Sequence, residues 1–90
     1  MTYIEALTEL EELMPKSWKG FRAPLLEDNE GVLKVIKLMG GCEIVQHKKK
    51  WSASNHEEWF VGIGDTITEA VVRLAVKVLR ARKEEANGLG

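Results

Sequence analysis

The sequence predicts a small α+β protein, an α-β-α sandwich in the order α-α-β-β-β-α, with its three strands in an antiparallel meander. Three observations predict it. Apolar residues recur with a helical period at both ends of the chain. The period changes to strand-like alternation after Gly40-Gly41. Turn residues at Ser54-Asn55-His56 then cut the alternating stretch into short runs.

The first helix starts where Thr2 and Glu5 form a capping box, and Tyr3, Ala6, Leu7, Leu10, Leu13 and Met14 share one face. Pro15 ends it, because proline has no N–H to continue the ladder. Residues 16–26 keep no steady period and are punctuated by Gly20 and Pro24, so they form a connection, with room for a short strand around Phe21. Asp28 or Asn29 caps a second helix over 30–39, in which Val32, Val35, Ile36 and Met39 follow an i, i+3, i+4, i+7 pattern. Gly40-Gly41 stops it, one glycine taking the left-handed conformation past the helix end.

Strands follow at 42–47, 50–54 and 58–63. Ile44 and Val45 lie on opposite faces, and Trp59, Val61 and Ile63 oppose Phe60. Apolar residues on both faces of the meander point to helices covering both. Gly62 and Gly64 mark a bulge or a close helix approach.

The last helix, 64–85, is the best-defined element. Thr66 caps it and Glu69 completes the box. Ile67, Ala70, Val71, Leu74, Ala75, Val78 and Leu79 make its apolar face, and Val72 and Val76 widen that face beyond what three short strands need. The surplus is expected to meet either helix one or a symmetry mate, which makes Val72 and Val76 the candidate homodimer interface. The chain divides into an N-terminal helix and loop (1–27), an α-β-β-β-α core (28–86) and a frayed tail (87–90), all within one domain.

Composition limits function more than it defines it. A net charge of −1 gives no general attraction to nucleic acid or anionic membrane. No apolar run approaches the ~18 residues of a membrane span. A single cysteine, Cys42, forbids an internal disulfide, and an acidic, periodic start is unlike a signal peptide, so a cytoplasmic location is expected.

Motifs that carry chemistry are sparse. Gly62-Ile63-Gly64 before a helix lacks the third glycine of a dinucleotide fingerprint, where Ile67 stands, and no Walker A pattern occurs. Cys42, His47, His56 and Glu57 are the one set of metal-binding types, at spacings that match no structural zinc site. Cys42 with a histidine would need an activated thiolate in a pocket to act as a nucleophile. The preferred reading is a small buried Cys42 with surface histidines; no enzyme activity, metal or cofactor is expected.

Two stretches suggest contact surfaces. Trp18, Phe21 and Arg22 sit in a basic loop, either capping an end of the core or forming an aromatic–basic contact patch. Lys48-Lys49-Lys50-Trp51 is the densest basic run. Its lysines either solvate a turn or edge, the preferred reading, or contact phosphates while Trp51 stacks on an unpaired base.

From VLKVIKLM through the meander with Trp51 and WFVGIG to GDTITEAVVRLAVKVL, roughly the last 60 residues, the chain resembles the phage ABA sandwich domain family. Asp65-Thr66 stands at the family's strand-to-helix join. Ile67 occupies the place where proline is common there, and valines stand where the family often has alanines. The resemblance implies a small accessory protein of a tailed phage or prophage, acting in the host cytoplasm, with no enzymatic activity to transfer. By analogy with small phage proteins, it implies binding and inhibition of a host protein, including anti-CRISPR or anti-restriction inhibition. The alternative is a protein that binds nucleic acid or a nucleotide signal through Lys48–Trp51 with Trp18 or Arg22.

Overall fold

The computed structural model describes residues 2–13 and 29–88. The elements are α1 (Tyr3–Leu13), α2 (Asn29–Met39), β1 (Glu43–His47), β2 (Lys50–Ser54), β3 (Val61–Gly64) and α3 (Ile67–Gly88). The fold is α+β in the order read from the sequence, with a three-stranded antiparallel sheet ordered β1-β2-β3.

The helix ends follow local chemistry. Thr2 Oγ1 accepts from the Glu5 amide at 3.2 Å, and Thr66 Oγ1 accepts from the Glu69 amide at 3.1 Å. The return bond of the second cap lands one residue early: the Asp65 N–H, not that of Thr66, donates to Glu69 Oε2 at 3.0 Å. At the end of α2, Gly40 (φ 89°) donates to the Lys37 carbonyl and Gly41 (φ 103°) to that of Ile36, the paired bonds of a Schellman motif. At the other end of the chain, α3 continues through Asn87 and Gly88, past the expected start of the tail.

The organising element is α3. Ala70, Val71, Val72, Leu74, Ala75, Val76 and Val78 are all buried, so only a narrow strip stays wet. One side presses on the sheet, where a Cβ on Gly62 would collide with the Ala70 carbonyl and the Leu74 amide nitrogen. A Cβ on Gly64 would come within 2.6 Å of Glu69 Cγ and 2.9 Å of the Ala70 nitrogen. A second side meets α2, whose Val32, Val35 and Met39 join the core, and a third meets α1 through Ala6 and Leu10.

This three-sided cover corrects the expected oligomer interface. Val72 and Val76 are 1% and 3% exposed within the single chain. They lie on the α3 stripe that also carries Glu69, whose charge reaches Tyr3 of α1, and Arg80, which pairs with Glu9 of α1. Helix one uses the surplus, and two valines buried this deeply offer almost no surface to a symmetry mate.

The strands pair in continuous register, Glu43↔Ser54 to His47↔Lys50 and Trp51↔Gly64 to Ser54↔Val61. Alternation therefore sets Ile44, Trp51, Ala53, Gly62 and Gly64 toward α3, and Glu43, Val45, His47, Ser52, Ser54, Val61 and Ile63 the other way. Among the described residues the helices gather on the first face. On the second, Val45, Val61 and Ile63 remain 37%, 42% and 59% exposed, so the two-sided cover expected from the sequence is not met there. The physical reason is that α1 and α2 spend their apolar faces on α3.

Candidate functional site

Trp18, Phe21 and Arg22 lie outside the described residues.

Lys48 and Lys49 form the two-residue turn between β1 and β2, Lys48 in the left-handed region at φ 55°. Lys50 and Trp51 are consecutive strand residues and so point to opposite faces. Lys50 Nζ is bound to Asp65 Oδ1, which pushes the ammonium pKa up through that hydrogen bond and charge. Trp51 is half-buried and packs on the core. The arrangement that base stacking requires, lysines with an adjacent free ring, is therefore not assembled. Lys48 and Lys49 stay exposed, and Trp51 contributes to stability.

Cys42, Glu43, Asn55, His56 and Glu57 line an open groove of about 470 Å³ beside Met39, Gly40 and Gly41. His47 is at the far end of β1, next to the turn. His56 Nε2 contacts Glu43 Oε2 at 3.3 Å. Among the described residues no three histidine, cysteine or acidic side chains are placed to hold one metal ion. Burial pushes the Cys42 thiol pKa up, opposite to what a nucleophilic thiolate needs.

The loop from β2 to β3 is built around Asn55, which is 2% exposed. Its amide Nδ2 donates to Glu58 Oε2 at 2.9 Å and its Oδ1 accepts from the Phe60 N–H at 3.0 Å, while its own N–H reaches the Phe60 carbonyl at 3.3 Å. Arg82 of α3 fastens the same loop from below. Its guanidinium donates to Glu58 Oε1 at 3.1 Å, to Glu57 Oε2 at 3.2 Å and to the Met39 carbonyl at 2.7 Å. The last bond also caps the negative end of α2. Between these anchors Trp59 is held at φ 62°, a strained value for a bulky residue, and is 78% exposed. Its ring meets the His56 ring edge-on at 5.8 Å. Alternation in the sequence places Trp59 within β3; the strand begins only at Val61 because Asn55 claims the Phe60 backbone for the turn.

Beyond Trp59 the open sheet face runs into a second cavity, of about 330 Å³. Val61, Ile63 and Val76 line it together with Arg73, Lys77 and Arg80. Lys77 Nζ donates to the Val61 carbonyl at 2.6 Å, Arg73 pairs with Glu69 at 3.0 Å, and Arg80 pairs with Glu9. The result is an apolar floor with a rim of three cations, two of them ion-paired. Helical periodicity alone does not join these three cations to β3. The signal was present in Gly62 and Gly64: if the glycine face meets the helix, Val61 and Ile63 must face away from it.

No family model, no curated protein and no solved structure matches the chain. Among the described residues no helix is long and apolar enough to cross a membrane.

Proposed function

We propose that this chain is a non-catalytic phage accessory protein that binds and inhibits a host protein in the host cytoplasm, as a counter-defence inhibitor of the anti-CRISPR or anti-restriction type. The phage setting rests on the resemblance of the last 60 residues to the phage ABA sandwich domain family. What supports binding, and carries the reading, is Trp59. A large aromatic is fixed at positive φ by Asn55 and displayed to solvent, two residues before the exposed Val61 of β3. Strain of this kind persists where the surrounding structure over-determines it, and rigid exposed aromatics anchor protein interfaces. With Val61 and Ile63 exposed on the strand that follows, and Lys77 and the ion-paired Arg73 and Arg80 at the rim, the complementary surface is apolar with polar margins.

Capture from host lysate with tagged protein tests the reading. Trp59→Gly relieves the strained φ and is expected to raise stability by ~1 kcal/mol while reducing capture of the partner at least tenfold. Ile63→Glu acts on the same face and is expected to do the same to capture without unfolding the chain. A partner retained equally by both variants would sink the assignment. The alternative, binding of nucleic acid or a nucleotide signal through Lys48–Trp51 with Trp18 or Arg22, rests among the described residues on exposed Lys48 and Lys49. It predicts a salt-sensitive gel shift lost in the Lys48→Glu, Lys49→Glu double variant.

A further inference from the structure

The two edges of the sheet are treated differently. At β3, the Lys77 ammonium covers the edge by donating to the Val61 carbonyl at 2.6 Å, and α3 lies against the strand. A lysine laid over an edge is a common protection against strand addition. Among the described residues β1 has no such device. Residues 43–47 contain no lysine, proline or glycine, and their register with β2 is uninterrupted. Among the described residues no strand pairs with the outer side of β1.

The register also tells which groups face outward. His47 sits opposite Lys50 across a two-residue turn, so these two exchange hydrogen bonds. Alternation then directs the backbone groups of Glu43, Val45 and His47 at β2 and leaves those of Ile44 and Gln46 at the free edge.

We propose that β1 pairs antiparallel with β1 of a second copy of this chain, about a two-fold axis through Val45. The sequence of the strand is self-complementary in this one register. Val45 meets Val45, Ile44 exchanges backbone hydrogen bonds with the second copy's Gln46, and Glu43 lies opposite the second copy's His47, the whole set repeated by symmetry. Glu43, Val45 and His47 share the open face, so the acid–imidazole contacts, added to the one Glu43 already makes with His56 at 3.3 Å, flank an apolar centre. The dimer has a six-stranded sheet in which the open faces of both copies lie on one side. Five residues bury less than the roughly 1,000 Å² of a stable interface, so association is weak and concentration-dependent. The pairing does not depend on the host-protein reading, since it uses neither Trp59 nor the cationic rim.

Sedimentation equilibrium from low micromolar to near-millimolar protein is the test. The wild type should pass from monomer to dimer. Gln46→Pro removes only an outward N–H, which an edge strand tolerates, and should abolish the dimer while leaving circular dichroism and melting unchanged. Glu43→Lys and His47→Glu, each acting twice across the axis, should weaken association about tenfold. The double variant restores opposite charges and should recover it, which no folding defect would do. A wild type that stays monomeric throughout, a dimer that survives Gln46→Pro, or a double variant no better than its parents would overturn the proposal.

Discussion

Gly62 is the residue on which the architecture is least forgiving. A methyl group there would run into main-chain atoms of α3, the Ala70 carbonyl and the Leu74 nitrogen, and backbone cannot swing aside as a long side chain can. Gly62→Ala is therefore expected to cost about 3 kcal/mol or more, at the upper end of overpacking, in a denaturant titration. Cys42 answers to pH. Burial holds its thiol pKa above the ordinary value of 9.0, so the folded state keeps its proton longer than the unfolded state. That preference contributes stability in full at neutral pH and below, and loses it as pH rises past 9.0 through the folded value. Tyr3 has the same sign, raised by burial and then by the Glu69 charge. Melting temperature should fall on the alkaline side, and Cys42→Ala should soften the first part of that fall. A thiol that alkylates at neutral pH as fast as a free cysteine would contradict this account.

At the scale of elements, α3 acts as a spine with three clients: the sheet, α1 and α2. Leu74 is fully buried on the sheet side, and Leu74→Ala should cost ~2–5 kcal/mol by leaving a cavity between helix and strands. A loss below about 1 kcal/mol would place it among surface substitutions and refute the packing. Most of this element was legible beforehand, because capping boxes, glycine stops and apolar periodicity are local signals. Thr66 with Glu69, and Gly40-Gly41, each did what their chemistry dictates. What was not legible depended on contacts between distant segments. Val72 and Val76 read as surplus because nothing local says that α1 will lie on them. Trp59 read as a strand residue because the Asn55 bonds that turn the chain join residues whose pairing is set by the loop, not by alternation. The basic turn read as one unit, and the fold divided it, sending Lys50 to Asp65 and Trp51 to the core.

At the scale of the whole molecule, the described helices and the open face stand on opposite sides of one thin sheet. Stability is thus concentrated on one side and the exposed apolar surface on the other. Neither surface depends on an ionisable group in the core: among the described residues every buried side-chain nitrogen or oxygen has a hydrogen-bond partner. The open face is charge-poor at its centre and charge-rich at its rim, the distribution expected of a protein-binding surface.

The four residues of β3 read V-G-I-G, and their alternation interleaves two kinds of position. Gly62 and Gly64 are fixed by the helix beneath them, whereas Val61 and Ile63 stay 42% and 59% exposed and can be exchanged for other side chains at little cost. Specificity for a binding target can therefore be rewritten letter by letter along this strand while the scaffold stays the same. Insertion or deletion of a single residue is another matter. It would exchange the two sets, drive a valine into the helix backbone and turn a change of preference into a failure to fold.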